Sequence, residues 1–427
     1  MSKYIKKAVL AVASLFLILA VSSCSDPVFY GIMHDVAPEE ATINGNITSI
    51  ARCKIGSTEY LFLTTGGTLF YKPVTSSKHG EWVSFDSLPF EAHHYDYYSE
   101  EHIGNLMLRV VSDEDYIYIL SSDFDTDTQY GIVLPDTFSI WAKPLANFFT
   151  NTSGTNKGWT NITAGQEDTF FKTVYNSSEG LFETYFSIFS TNAVIPGHRA
   201  AFFKVQTPGT SDVTYYNLNG TSAPSANSSV MTNAIKVNSG STGVNSAFYV
   251  GDTLYFTDSL VVSTNETPGE NASIACLAGV KDRASTDNGY FSSNSLYTFD
   301  GSSTSVTKLV DVNSPVASLA FTKDSLLIGE GSYNSTYTDD GGIERILLDS
   351  NRKPLNSTSE FTSNAKYQFT SAYIIMTLLC TDPSKTEAET NLYATLSFRG
   401  TGSSSTASPK DIGLWSYYPD RGNWNRE

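Results

Sequence analysis

The chain has 427 residues, with 44 acidic and 27 basic side chains and a formal net charge of −17 at pH 7. Such an acidic surface is repelled by nucleic-acid phosphates and by anionic lipid, which excludes non-specific binding to either. The 25 Tyr and 25 Phe residues, together with few long helix-forming runs, favour an all-β chain.

The first 23 residues predict an export signal. Residues 1–7 contain three lysines and no acidic residue, and residues 8–21 carry no charge. An apolar stretch of this length is too short to remain as a membrane-spanning helix. We therefore expect residues 1–23 to be removed as a lipoprotein signal peptide.

The end of this signal, Val21-Ser22-Ser23-Cys24, resembles the lipobox of bacterial lipoproteins. By that resemblance, cleavage leaves Cys24 at the mature N-terminus, carrying a covalent diacylglycerol and an N-acyl chain. Two or three acyl chains anchor a protein stably without spanning the membrane. Ser25, rather than Asp, follows the cysteine, which favours the outer membrane on its periplasmic or surface face. The alternative is an ordinary secretory signal with a chance cysteine.

Behind a lipidated tether of residues 24–46, residues 47–427 contain a repeated β unit. Each unit begins with two apolar strands joined by a short polar turn, as in residues 108–120, 247–258 and 319–330, and more loosely from Ser49. A mostly aromatic third strand follows, with equivalent positions at Phe70, Trp141, Phe202, Tyr297, Ile346 and Trp415. A glycine with a tryptophan one or two residues later then opens an outer strand in residues 80–85, 158–163 and 422–427.

A unit of this kind cannot bury both of its faces alone, whereas copies stacked around a ring can. The repeats therefore predict a single β-propeller domain of about six, or seven, four-stranded blades; a sandwich or a solenoid is the alternative. The spacing between second and third strands varies most, with its longest interval from Leu254 to Tyr297. This predicts enlarged loops on one face, where binding residues usually lie. The competing explanation for the variable spacing is neutral drift in the length of loops that tolerate insertions.

Two stretches on that face carry candidate binding residues. Histidines and alternating acids are metal-ligand types, and the candidate metal ligands are His93, His94, His102, Asp123, Asp125 and Asp127. A solvated loop and an exposed acidic turn are the alternatives, since Leu134 stands where an EF-hand loop has its glutamate. Aromatic residues in the same stretches form a candidate binding face for a protein or glycan: Tyr95, Tyr97, Tyr98 and Phe124.

The remaining cysteines, Cys53, Cys276 and Cys380, form no C-x-x-C pair, which disfavours a zinc site. We expect three buried thiols, with one disulfide and one free thiol as the alternative. No G-x-S-x-G elbow, P-loop, G-x-G-x-x-G or H-E-x-x-H motif is present. Residues 418–424 resemble the Asp-box turn of sialidase-type propellers but are one residue short, and that turn is a folding element outside the active site.

The lipobox, residues 24–50 and the tryptophan-bearing repeats together make the chain similar to the β-propeller lipoproteins common in spirochaetes. That resemblance implies the fold and a place in the cell envelope, but no activity. The leading hypothesis is a membrane-anchored module that binds a protein or glycan, with no nucleic-acid partner and no cofactor beyond the acyl chains, calcium being left open. The alternatives are an extracellular enzyme acting on carbohydrate or peptide and a scaffold for outer-membrane assembly.

Overall fold

The structure is a computed structural model in which residues Ala41–Glu427 form one compact unit. Within that unit it describes Ile43, Ile47 and residues 49–74, 82–98, 101–127, 132–165, 171–176, 181–190, 201–202, 215–217, 231–238, 246–257, 261–267, 270–278, 294–302, 306–331, 341–361, 373–398, 412–420 and 422–427. The predicted signal peptide and Cys24 lie outside the described residues, and of the predicted tether only Ile43 is described. No helix within these ranges is long and apolar enough to cross a membrane.

The first two large sheets are antiparallel meanders that each follow the chain order. Sheet 1 contains β1 (Ser49–Ile55), β2 (Thr58–Thr64), β3 (Leu69–Pro73) and β4 (Val83–Ser84). A two-stranded hairpin follows, made of β5 (His94–Asp96) and β6 (Glu101–Ile103). Sheet 2 contains β7 (Leu106–Ser112), β8 (Tyr116–Asp127), β9 (Ile132–Pro144) and β10 (Thr160–Asn161), with a 3-10 turn at Leu145–Asn147 after β9.

The next two sheets share a stretch of chain. Its strands are β11 (Phe171–Asn176), β12 (Leu181–Ser190), β13 (Ala201–Phe202), β14 (Tyr215–Asn217), β15 (Met231–Asn238), β16 (Ser246–Val250) and β17 (Thr253–Thr257). Sheet 3 has the order β11-β12-β13, with β15 also paired to β12, and sheet 4 has the order β14-β17-β16.

The last three sheets are again four-stranded meanders. Sheet 5 contains β18 (Val261–Thr264), β19 (Ala275–Ala278), β20 (Ser295–Phe299) and β21 (Thr307–Asp311). Sheet 6 contains β22 (Val316–Phe321), β23 (Ser325–Glu330), β24 (Gly342–Leu348) and β25 (Pro354–Glu360). Sheet 7 contains β26 (Tyr373–Cys380), β27 (Leu392–Phe398), β28 (Gly413–Tyr418) and β29 (Asn423–Arg426).

The strands form where the sequence alternates apolar and polar residues around a turn. In β1 the side chains of Ala51 and Cys53 are buried and that of Arg52 between them is not, as expected for a strand with one covered face. β23 is buried at all six positions, because its sheet is covered on both sides by neighbouring sheets. Gly56, in the β1–β2 turn, has φ +62°, a conformation that glycine adopts without a steric penalty. The predicted hairpins and aromatic third strands are confirmed.

Neighbouring sheets pack face to face around a ring. Strands at the edges of neighbouring sheets contact one another: β1 contacts β7, β16 contacts β18, β18 contacts β22, β22 contacts β26, and β13 of sheet 3 contacts β16 of sheet 4. Apolar clusters fill the joints, for example Phe62 with Val110 between sheets 1 and 2. Leu61 and Tyr393 join sheet 1 to sheet 7, and this joint closes the ring. The chain is therefore an all-β propeller.

The described residues form seven sheets of three or four strands, and this corrects one predicted unit. The enlarged loop predicted between Leu254 and Tyr297 is wrong, because Leu254 lies in sheet 4 and Tyr297 lies in sheet 5. The interval contains β18 and β19, which are only four residues long and too short to give a clear periodic signal. Ile43, which the sequence analysis placed in the tether, is fully buried in the joint between sheets 1 and 7.

Candidate functional site

The hairpin between sheets 1 and 2, named here the tyrosine hairpin (residues 94–103), carries the most exposed aromatic side chains of the described chain. β5 and β6 pair antiparallel, with His94 opposite Ile103. Tyr97 and Tyr98 follow β5 directly and are 84% and 100% exposed. The other exposed large apolar side chains in the described ranges are at most 50% exposed. Two neighbouring aromatic rings are thus presented to solvent directly after β5.

Backbone contacts fix the base of the tyrosine hairpin. The amide of His93 donates to the carbonyl of Asn105 at 3.0 Å, and the amide of Asn105 donates to the carbonyl of Glu91 at 2.8 Å. Gly104 has φ +82°, and a Cβ at this position would lie 2.6 Å from the carbonyl oxygen of Glu91. A Cβ on Gly67, in the β2–β3 turn, would lie 2.6 Å from the carbonyl oxygen of His93. The hairpin therefore stands beside the turn between the second and third strands of sheet 1.

The predicted histidine ligands are placed in and beside this hairpin. His93 precedes β5, His94 begins it, and His102 lies in β6. The exposed imidazole of His94 has its Nδ1 4.0 Å from Glu91 Oε1 and 3.3 Å from the carbonyl oxygen of Ala92. The described part of the chain contains no group of three or more His, Cys, Asp or Glu side chains that could hold a metal ion.

The predicted acidic turn is a strand in the structure. Asp123, Phe124, Asp125 and Asp127 all lie in β8, which continues through them and pairs with β9. Asp123 is exposed, and its Oδ1 accepts a hydrogen bond from the amide of Thr137 at 2.6 Å. A paired strand satisfies its backbone groups with its neighbour and does not wrap around an ion as a calcium loop does. The turn predicted at Asp123–Asp127 is therefore wrong, because these residues belong to a paired strand.

A buried ion pair in an aromatic cage lies where sheet 7 meets sheet 1, and the sequence analysis did not find it. Lys72 Nζ lies 2.5 Å from Glu427 Oε2, and both side chains are almost fully buried. Glu427 also accepts hydrogen bonds from Trp82 Nε1 at 3.0 Å and from the Tyr418 hydroxyl at 3.2 Å. The ammonium lies 5.1 to 5.8 Å from the ring centroids of Trp82, Tyr393 and Tyr418. We call these five residues the closure cage.

Lys143 occupies the equivalent position of the second repeat, in a similar cage in which no carboxylate of the described residues pairs with the ammonium. Its Nζ donates to the carbonyls of Asn151 and Lys157, both at 2.7 Å. The rings of Phe85, Phe148 and Trp159 surround the ammonium at 5.2 to 5.7 Å. Burial, with a smaller contribution from the Lys157 charge, lowers the pKa of Lys143 to about 8. Both cages are internal and belong to the scaffold.

The three described cysteines are buried and unpaired, as expected from the sequence. Burial raises the pKa of Cys53 to about 12 and that of Cys380 to about 11, and it raises the pKa of Cys276 as well. Thiols that stay protonated at neutral pH are poor nucleophiles and poor metal ligands. These residues therefore serve packing.

Comparisons with known proteins add little to this site. No protein-family model matches the chain, and none of the curated proteins is similar to it. Among solved structures, the chain is similar to the Dos1 propeller with a TM-score of 0.31 and 8% identity, over 91% of this chain and 85% of that chain. It is also similar to a puromycin-hydrolysing peptidase of Mycobacterium tuberculosis, with a TM-score of 0.33 and 9% identity, over 88% of this chain and 44% of the peptidase. Similarity at this level transfers neither an activity nor a partner.

Proposed function

We propose that this protein is a lipid-anchored β-propeller of the bacterial cell envelope that binds a protein or glycan partner through the tyrosine hairpin. The observation that carries the proposal is the exposure of Tyr97 and Tyr98 at the tip of a hairpin whose base is fixed by backbone hydrogen bonds. The lipobox supports an anchor at Cys24, which would attach the chain to membrane lipid. Ser25, which follows the cysteine, favours the outer membrane.

Tyrosine is well suited to such a surface. Its ring provides a large contact area and restricts only two side-chain torsions on binding, and its hydroxyl supplies a hydrogen bond. Both sugar rings and the side chains of a protein can pack against exposed aromatic faces. The net charge of −17 makes a neutral or basic partner more favourable than an anionic one.

The proposal is tested by removing the two rings. Binding of the chain from Ser25 onward, which contains the whole compact unit Ala41–Glu427, is measured on a glycan panel and by capture from envelope extracts. We expect Tyr97→Ala/Tyr98→Ala to weaken binding by about tenfold or more, as is typical for central aromatic contacts.

The matched control is Leu347→Ala/Leu355→Ala, which removes two exposed apolar side chains from the outer strands of sheet 6. This variant should bind as the wild type does. Equal binding by the wild type and the tyrosine variant would contradict the proposal. Turnover of a glycan or peptide that survives the tyrosine substitutions would instead favour the enzyme hypothesis.

A further inference from the structure

The tyrosine hairpin lies in the middle of an acidic stretch of the sequence. Residues 86–108, which comprise the hairpin and its flanks, contain five acidic residues and neither lysine nor arginine, although the chain has 27 lysine and arginine residues. The side chain of Glu91, beside the base of the hairpin, is 67% exposed. The exposed rings of Tyr97 and Tyr98 are therefore presented from a stretch of chain with no lysine or arginine of its own to compensate its charge.

The register of the hairpin places two of these acidic residues opposite one another. Asp96, the last residue of β5, pairs with Glu101, the first residue of β6. Residues paired directly in an antiparallel ladder have their Cβ atoms about 4.5–5.5 Å apart on one face, and like charges at such a pair destabilise it. The same pair closes the turn that contains Tyr97 and Tyr98. The hairpin thus combines a like-charge pair with two exposed aromatic rings.

A cationic side chain complements both of these features, whereas a neutral sugar complements only one. A sugar ring packs against a tyrosine ring but leaves the like charges of Asp96 and Glu101 uncompensated. An ammonium or guanidinium group offsets those charges and is also attracted to the face of an aromatic ring. Arginine fits best, because its planar guanidinium stacks on aromatic rings and binds carboxylates with two hydrogen bonds.

We propose that the partner of the tyrosine hairpin is a basic segment of a protein, which contacts the hairpin through arginine or lysine side chains. This inference rests on the proposed function and narrows the partner from a protein or glycan to a cationic peptide chain. Asp96 and Glu101 supply the complementary charge, and Tyr97 and Tyr98 supply the contact area. Charge complementarity acts mainly on the association rate and its salt dependence, whereas close packing acts mainly on the lifetime of the complex.

The test uses two fluorescently labelled peptides of equal length, one alternating arginine with serine and the other alternating neutral citrulline with serine. Their binding to the chain from Ser25 onward is measured by fluorescence anisotropy and stopped flow. We expect the arginine peptide to bind about tenfold more tightly or better at low salt. Its association rate should fall by about tenfold between about 10 mM and about 150 mM NaCl, as the Debye length shortens from about 30 Å to about 8 Å.

A matched pair of variants separates the hairpin from the negative charge of the whole chain. Asp96→Asn/Glu101→Gln is isosteric and should weaken binding of the arginine peptide by about five- to tenfold. Glu114→Gln/Asp115→Asn changes the net charge equally, in the exposed turn at the far end of β7, and should bind nearly as the wild type does. Because the hairpin substitutions also remove a like-charge repulsion, they should not lower the unfolding temperature; Asp96→Asn alone provides a second variant.

The outcomes distinguish this inference from the proposed function. If Tyr97→Ala/Tyr98→Ala binds glycans and extract proteins as the wild type does, the proposed function itself is wrong. If that variant loses a partner which Asp96→Asn/Glu101→Gln still binds, and the two peptides bind equally, only the basic partner is wrong. Equal weakening of peptide binding by the hairpin variant and the matched control would also overturn the inference, because the charge of the whole chain would then account for the attraction.

Discussion

Two lysines show how the same repeat position can bury a positive charge in two ways. Lys72 and Lys143 both precede a proline at the end of a third strand, and each ammonium is surrounded by three aromatic rings. Lys72 is compensated by the carboxylate of Glu427, whereas the ammonium of Lys143 bonds two main-chain carbonyls. The second arrangement stabilises the charge less, because dipoles compensate burial less fully than an opposite charge does.

Lys143 should give the protein a characteristic dependence of stability on pH. Its pKa is about 8 in the folded protein against 10.5 for an unperturbed lysine. Below pH 8 Lys143 is protonated in both the folded and the unfolded state, and the folded state is destabilised by the buried charge. Between the two pKa values only the unfolded chain keeps the proton on Lys143, so the free energy of unfolding rises with pH. We expect Lys143→Met to lose this rise, which amounts to about 2 kcal/mol between neutral pH and about pH 9.5.

Urea unfolding of both proteins at the two pH values measures this effect. The buried thiols act in the opposite direction, because the pKa of Cys53 and of Cys380 is raised and their unfolded forms ionise first as the pH increases. That loss is common to both proteins and cancels in their difference. Parallel pH profiles for the wild type and Lys143→Met would contradict the prediction.

At the scale of elements, the tyrosine hairpin depends on one glycine at its base. At Gly104 a Cβ would lie 2.6 Å from the carbonyl oxygen of Glu91 and 2.7 Å from that of Ala92, at φ +82°. Gly104→Ala must therefore displace the backbone of Glu91 and Ala92, which precede β5. We expect this variant to lose partner binding as Tyr97→Ala/Tyr98→Ala does, and to be cleaved faster within residues 91–105 in limited proteolysis.

The control for this prediction is Gly56→Ala. Gly56 also has a positive φ, of +62°, but open space surrounds the position of its Cβ. Its substitution adds backbone strain of about 1 kcal/mol without a steric clash, and the hairpin should remain intact. Identical proteolysis patterns for Gly104→Ala and the wild type would show that the base of the hairpin is not the determinant.

The sequence predicts strands and hairpins where a pattern of neighbouring residues indicates them. It does not predict contacts between residues that are distant in the chain. Hairpins such as β22–β23 follow from alternating side chains around a turn. Tyr97 and Tyr98 are exposed, and their binding role stays a prediction. The sequence does not predict the part of β8 beyond Asp123, because that part is rich in Asp, which strands usually avoid. The ion pair of Lys72 with Glu427 spans 355 residues of sequence, and no local pattern contains it.

At the scale of the whole molecule, the closure cage joins the two ends of the ring of sheets. The free energy of the ion pair is measured by a double-mutant cycle with Lys72→Met and Glu427→Gln in urea unfolding. We expect Lys72→Met alone to destabilise the protein by about 3–5 kcal/mol, since it leaves a buried carboxylate without its cation. The double variant should be destabilised by clearly less than the sum of the two single variants. Additive effects would show that the two side chains do not stabilise each other.

The repeats also place the tryptophans unevenly around the ring. The chain has five, and all lie in or beside the third and fourth strands of sheets 1, 2 and 7: Trp82, Trp141, Trp159, Trp415 and Trp424. Four of them are almost fully buried at these positions. Tryptophan fluorescence therefore reports on sheets 1, 2 and 7, and sheets 3 to 6 contribute no tryptophan signal. Opening of the ring at the joint between sheets 1 and 7 would shift the tryptophan emission spectrum, while the far-ultraviolet circular dichroism of the remaining strands would persist. The tryptophans therefore provide an intrinsic optical probe of ring closure.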